Sequence, residues 1–269
     1  FTRRLDPQLP EFTMLQSLPW LRRFLLDFET ELQNAAQDCS ITLPFWSVTL
    51  EASPSALQNS PVWDATRLGG RPQCPSGGPP CDRAEVAGGR LACGDRERYC
   101  LGDGLASGWT MPLADSADAD DCACVHRSPS LNASLVSHPT LFRFLADAAD
   151  LMSASSRFGA LAAYLHCQVV GAASTLCEPK TAPWDPLFFL LNANIDRLFL
   201  HWQRYRALKH GEDATTCSGC EQLMTVYGQP IYDMLGMFSA DDQEYLQLPK
   251  SSPTVAVAYQ ELYQPGDWL

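Results

Sequence analysis

The sequence is poor in basic residues and histidine, and it has no long apolar run. Lysine and arginine number 19 against 31 aspartates and glutamates, which gives a formal net charge of -12. Nucleic-acid binders usually carry a basic face, so this charge argues against nucleic acid as a partner. No stretch reaches the roughly 18 consecutive apolar residues that indicate a membrane-spanning helix, so no membrane span is predicted. The five histidines limit the imidazole-rich metal sites that the chain can build.

Cysteine, in contrast, is abundant. Among the 269 residues are 11 cysteines, and many lie in a segment at 52–130 that is rich in glycine, proline and aspartate. Such a segment has few core-forming residues and needs cross-links to hold a shape. We therefore interpret 52–130 as a disulfide-stapled excursion of a secreted, extracellular protein. The sequon at Asn132 predicts an N-glycan, which fits this route. Further along, we expect Cys167 to form a disulfide with Cys177 or to stay a buried thiol.

The apolar periodicity predicts a mainly α fold. In the last predicted helix, Asp185 stands at the capping position and Pro186 at the first helical position, where each is favoured. Residues 40–50 are expected to be extended. The predicted helices, taken from apolar residues that recur at spacings of three and four, cover residues 18–36, 138–152, 157–175 and 185–209.

The expected organisation is one domain over residues 1–269. Its core helices lie at about 12–50 and 138–210, the excursion lies between them, and a tail follows at 211–269. The chain starts abruptly at Phe1, without an initiator methionine or a signal peptide. We interpret it as a piece of a longer precursor.

Two stretches carry a more specific pattern. The first is LPWLRRFLLDFETELQ at 18–33, followed by ITLPFWSVT at 41–49, and the second is LHCQVVG at 165–171, followed by APWDPLFFLLNANIDRLFLHWQRYR at 182–206. They resemble the two copper-binding signatures of the tyrosinase family, which includes the catechol oxidases and the molluscan hemocyanin units. The resemblance implies an antiparallel four-helix core, to which the cysteine-rich composition adds long disulfide-stapled loops and the pattern of the tail adds a few short strands. It also implies six histidines that hold two copper ions, which bind dioxygen and oxidise phenols.

Most of the implied ligand positions carry other residues in this chain. Leu21 replaces the histidine of the family's Pro-Trp-His-Arg, and Phe12 stands nine residues earlier, where another histidine belongs. The family's His-x-x-x-His becomes His166 and Val170, and Asn192 replaces a later histidine. Imidazole suits copper, whereas leucine, phenylalanine and valine offer no donor atom. We therefore expect no copper and no other cofactor, and a repacked apolar interior around a neutral His166.

Residues that support the family's site are retained. They are Arg22, Glu29, Asp185 and Asp196. Because charged groups inside a helical core are stable only when they are paired, we expect Arg22 to pair with Asp185 or Asp196.

Three functions remain open at this point. The leading expectation is a domain that is not an enzyme, a secreted structural or interaction module. Its partners would be other chains of an extracellular assembly or the rest of its own precursor. The first alternative is a copper-dependent phenol oxidase with a rearranged site around His166. The second is a binder of a small apolar or aromatic ligand in the family's substrate cleft.

Overall fold

A computed structural model gives the structure of the chain. It describes the helical core and parts of the excursion. The described residues are 10–70, 96–109, 124–130, 133, 135–172, 174–179 and 181–210, with the short segments 72–73, 85–86, 90–93, 225–226 and 229–230. The predicted glycan site at Asn132, most of the tail and much of the excursion lie outside them.

The described part is mainly helical, as the sequence predicts. Short 3-10 turns connect the helices at Val48–Glu51, Pro61–Trp63, Thr175–Cys177 and Ala182–Trp184. A π-helical turn, Tyr164–Val169, follows the fourth helix directly. The α-helices are α1 (Pro10–Ala36), α2 (Pro54–Gln58), α3 (His138–Ala146), α4 (Leu151–Ala163) and α5 (Leu187–His210).

The strands that the structure describes are short and antiparallel. They form three separate pairs, and the longest pair joins residue 90 to residue 99 and residue 93 to residue 96. The strands are β1 (Pro72–Gln73), β2 (Glu85–Val86), β3 (Arg90–Cys93), β4 (Arg96–Tyr99), β5 (Thr225–Val226) and β6 (Gln229–Pro230).

Local polar groups set the helix boundaries. The backbone amide of Leu187 donates to the Asp185 carboxylate at 2.9 Å, which confirms the predicted cap of α5. The helix predicted over 138–152 is right as far as Ala146, where α3 ends, and wrong at 147–150, which separate α3 from α4. Asp150 accepts a hydrogen bond from the Ser153 amide at 2.8 Å and so starts α4 as a separate helix. At the other end of α1, Gln37 adopts a left-handed φ of 55°, which stops the helix.

The chain divides into two compact units. Unit 1 contains residues 1–45, 142–160 and 192–269, and unit 2 contains residues 46–141 and 161–191. In unit 1 the Phe199 ring packs edge-on against Phe158 and stacks on Trp202. The Trp202 indole N–H donates to the carbonyl of Ala148 at 3.3 Å, which satisfies the one polar atom of this buried ring.

The core of unit 2 includes a pair of tryptophans. Trp46 and Trp63 meet edge to face with ring centroids 5.4 Å apart. The Trp46 indole N–H donates to Glu51 at 2.9 Å, and the Trp63 indole N–H donates to the Leu57 carbonyl at 2.7 Å. Partial burial raises the pKa of Glu51, against the hydrogen bonds that it accepts. The segment 124–130 belongs to this core, so the excursion is not merely peripheral.

Two disulfides join described cysteines. One links Cys100 to Cys124, and the other links Cys167 to Cys177, which confirms the pairing expected for Cys167. Cys39 is an exposed free cysteine. The helices of the described part include none with the length and apolar character that a membrane crossing requires.

A buried hydroxyl in α4 gives the first testable prediction. Ser155 is 1% exposed, and its Oγ has no hydrogen-bond partner among the described residues. Because an unpaired buried polar group is costly, we expect Ser155→Ala to raise the free energy of unfolding by about 1 kcal/mol, measured by urea denaturation. The matched control is Ser174→Ala. The Ser174 hydroxyl donates to the Gly171 carbonyl at 2.6 Å, so the same substitution there lowers stability. A loss of stability in Ser155→Ala would contradict the prediction.

Candidate functional site

The positions that the family resemblance assigns to copper ligands fall in both units. Leu21 and Asn192 lie in unit 1 on α1 and α5, and each is less than a tenth exposed. His166 and Val170 lie in unit 2, in and next to the π turn, and Val170 is fully buried. Phe12 falls in α1, and its side chain is outside the described residues. Leu21 and Val170 are therefore both buried, each within its own unit.

The retained supporting residues of unit 1 fix α1 to α5. The Arg22 Nε donates to the Asp196 carboxylate at 2.8 Å, which confirms one of the two expected pairings. A second guanidinium nitrogen donates to Gln203 at 3.2 Å. Burial raises the pKa of Asp196, although the Arg22 charge and hydrogen bond oppose the rise. Glu29 accepts the backbone amide of Leu43 at 2.6 Å and so ties the chain after α1 to that helix.

Asp185 pairs instead with Arg127, which no motif in the sequence marks as its partner. Arg127 donates through Nε and Nη2 to the two carboxylate oxygens of Asp185 at 2.7 Å and 2.6 Å. Both side chains are 0% exposed. The remaining guanidinium nitrogen donates to the carbonyls of Leu68 and Gly69. Because Arg22 satisfies only one of the two core acids, the other needs a second cation, but the sequence does not indicate which basic residue supplies it.

His166 is the one ligand-position residue with an imidazole, and its electrostatic setting is distinctive. Its Nε2 is buried and has no hydrogen-bond partner among the described residues. Desolvation lowers the pKa of His166 from 6.5 to about 4, and the negative charge of Asp185 opposes this only in part. The imidazole is therefore neutral near pH 7, as predicted. The Phe188 ring lies beside it with a centroid distance of 5.9 Å and a tilt of 41°.

The backbone that carries His166 is unusual. The sequence predicts an α-helix through residue 175, but α4 gives way to the π turn at Tyr164. The amide of Val170 reaches back five residues to the carbonyl of Leu165 at 3.2 Å. Single π turns inside helices are rare and are frequent at functional sites. Apolar periodicity carries no signal for such a turn, so the sequence alone does not predict it.

The ligand positions do not fit a pair of copper ions. Leu21 and Val170 have no donor atom, and the amide of Asn192 is a poor ligand for copper, so His166 supplies the one imidazole among the described positions. Within the described residues no group of three or more histidine, cysteine, aspartate or glutamate side chains is arranged to hold a metal ion.

Comparisons with known proteins point to one family. A family model described as the common central domain of tyrosinase matches residues 14–205. The matched range includes the first sequence pattern, all but the last residue of the second, α3, α4 and most of α5.

Among the curated relatives are three enzymes from Streptomyces. A tyrosinase of Streptomyces lincolnensis is 30% identical over 198 residues, covering 70% of this chain and 62% of the relative. Grixazone synthase of Streptomyces griseus is 26% identical over 213 residues, covering 69% and 64%. A tyrosinase of Streptomyces antibioticus is 29% identical over 199 residues, covering 70% and 62%. The alignments thus span less than two thirds of the relatives' own length.

These relatives overturn one expectation. The lack of histidine at most ligand positions predicts a domain that is not an enzyme. The relatives that the chain matches bear the names of enzymes, namely tyrosinases and a grixazone synthase, so that expectation is wrong.

Proposed function

The chain belongs to the tyrosinase family, and we propose that it acts on a small phenol, which it holds with the hydroxyl at Nε2 of His166. The names of the relatives support the substrate class, since tyrosine is itself a phenol. One observation carries the proposal, namely the buried Nε2 of His166, which has no hydrogen-bond partner among the described residues.

The chemistry of His166 suits a phenolic hydroxyl. In the neutral tautomer with its proton on Nδ1, the imidazole presents Nε2 as a hydrogen-bond acceptor. A buried acceptor without a partner costs about 1–3 kcal/mol, so a ligand that donates to it recovers that free energy. Because the pKa of His166 is about 4, the acceptor stays available throughout the physiological pH range.

Phe188 supplies the apolar part of the proposed site. Its partly exposed ring lies next to the imidazole, where it offers an edge or a face to an aromatic ligand. Since Nε2 is itself covered, we propose that the phenol reaches it when the Phe188 ring turns aside. An aromatic ligand then contacts Phe188 while its hydroxyl donates to His166.

Copper is not part of the proposed steps. The copper pair of the family would supply the oxidation chemistry when bound. The residues at the described ligand positions do not fit that pair. We propose that the role of this chain's own residues at His166 is to bind the phenol and to accept its hydroxyl proton in a hydrogen bond.

The test compares 4-methylphenol with 1,4-dimethylbenzene, which has the same shape but a methyl group in place of the hydroxyl. We expect the chain, freed of metal by a chelator, to bind the phenol about tenfold more tightly, which corresponds to about 1.4 kcal/mol for one hydrogen bond. Isothermal titration calorimetry measures both affinities. His166→Phe should remove the preference for the phenol while leaving an aromatic side chain of similar volume.

The matched control is His138→Phe, which changes an exposed histidine at the start of α3. It should retain the full preference for the phenol. Equal affinities for the two compounds in the unmodified chain, or a preference that survives His166→Phe, would overturn the proposal.

A further inference from the structure

We infer that Cys167 and Cys177 are positioning residues of this site, because their disulfide holds the π turn that aims Nε2 of His166. The assignment of a phenol to Nε2 rests on the proposed function. The positioning itself rests on the geometry of the turn and its anchors, all of which lie in unit 2.

The π turn needs support from outside the helix. A π-helical turn is intrinsically rare and occurs mostly as an isolated turn within an α-helix. If Tyr164–Val169 reverted to α-helical hydrogen bonding, each residue of the turn would rotate about the helix axis. His166 would then point in another direction, so the turn and the direction of the imidazole are coupled.

Backbone contacts anchor the end of the turn to the segment 128–130. The Ser128 amide donates to the carbonyl of Val170, and the Ser130 amide donates to that of Val169, both at 3.1 Å. Gly171 follows with φ +112°, and a Cβ there would lie 1.9 Å from the Ser128 carbonyl oxygen. The backbone conformation at the end of the turn therefore requires glycine at position 171.

The disulfide ties the turn to a second anchored point. Cys177 ends the short turn that begins at Thr175, and the Thr175 amide donates to the His126 carbonyl at 2.9 Å. The His126 amide donates in return to the Thr175 hydroxyl at 2.9 Å. Cys167, the residue after His166, is bonded covalently to this anchored segment across ten residues of sequence. The bond therefore fixes the rotation of the turn at the residue next to the imidazole.

This arrangement makes the site sensitive to reduction. A dithiol that reduces the Cys167–Cys177 bond supplies two electrons and two protons, so that the S–S bond breaks and two thiols form, while the dithiol closes to its own disulfide. With the bond broken, the π turn loses its tie to residue 177 and relaxes toward α-helical geometry. His166 then leaves its buried setting, and the phenol site is lost.

The test follows the accessibility of His166 directly. Diethyl pyrocarbonate modifies exposed neutral imidazoles, and mass spectrometry locates the modified residue. In Cys167→Ser/Cys177→Ser we expect the modification rate of His166, relative to the exposed His138 in the same molecule, to rise about tenfold through local opening. The affinity for 4-methylphenol should fall by about the same factor.

The matched control, Cys100→Ser/Cys124→Ser, removes the other disulfide between described cysteines of unit 2 and should leave the relative reactivity of His166 unchanged. The unmutated chain treated with dithiothreitol repeats the experiment if the double variant does not fold. Unchanged relative reactivity of His166 in a folded protein that lacks the Cys167–Cys177 bond would overturn the inference. If the unmodified chain shows no preference for the phenol but the reactivity still rises, the proposed function fails and the positioning stands.

Discussion

Arg127→Met is expected to lower the free energy of unfolding by about 3–5 kcal/mol, the cost of leaving a buried charge without its partner. Asp185 is fully buried and receives both of its short ionic hydrogen bonds from Arg127. The variant also removes the donors to the carbonyls of Leu68 and Gly69. Denaturation by urea at pH 7 with the disulfides intact measures the loss. The exposed Arg143→Met is the control, with an expected change within about 0.5 kcal/mol.

A double variant distinguishes the effect of the unpaired Asp185 charge from the effect of the lost Arg127 side-chain packing. Asp185→Asn removes the carboxylate charge but keeps an oxygen that accepts the amide of Leu187 at the start of α5. In Arg127→Met/Asp185→Asn we therefore expect about 1–2 kcal/mol less destabilisation than in Arg127→Met alone. If the destabilisation of the double variant equals the sum of those of Arg127→Met and Asp185→Asn, Arg127 and Asp185 are not coupled.

The helical core was predictable because its signals are local. Apolar spacing gives α1 and α5, and the Asp185-Pro186 pair marks the beginning of α5, since a capping carboxylate and a residue without an amide proton both suit a first turn. The interruption between α3 and α4 was missed. It depends on the Asp150 side chain, which competes with the helix by accepting the Ser153 amide.

The candidate site was predictable at the level of residue identity only. Motif spacing identified His166 and the apolar replacements Leu21 and Val170, and the need to pair buried charge anticipated the Arg22–Asp196 bond. The partner of Asp185 comes from 58 residues away, inside a segment whose composition predicts no core. Tertiary packing sets such a contact, and the spacing of residues along the chain does not predict it.

The direction of His166 depends on a combination of contacts. The π turn, the left-handed Gly171 and the Cys167–Cys177 disulfide each have a different physical origin, and none of them alone changes the apolar pattern of the helix. The sequence anticipated the disulfide but not its consequence for the neighbouring imidazole. A functional setting of this kind becomes visible only when the backbone is known.

Arg22→Met is the second substitution with a large expected effect, a loss of about 3–5 kcal/mol at neutral pH. It leaves the Asp196 carboxylate, which is 3% exposed, without the guanidinium that donates to it at 2.8 Å. Arg22 also packs against the Phe199 ring, 5.0 Å from its centroid, so methionine keeps part of that apolar contact. The pH dependence of the loss distinguishes the electrostatic part from the packing part.

The sign of this pH dependence follows from the pKa of Asp196. Burial already raises that pKa above 3.8 in the folded protein, and Arg22 opposes the rise, so Arg22→Met raises it further. A raised folded-state pKa means that stability is fully present below the unfolded pKa and is lost as the pH rises through the folded value. The deficit of Arg22→Met relative to the unmodified chain should therefore shrink as the pH is lowered from 7 toward 4. The control is the cost of Arg22→Met in the Asp196→Asn background, which should depend little on pH because residue 196 then has no carboxyl to titrate. A deficit that is constant between these pH values would show that packing against Phe199, and not the buried charge of Asp196, explains the role of Arg22.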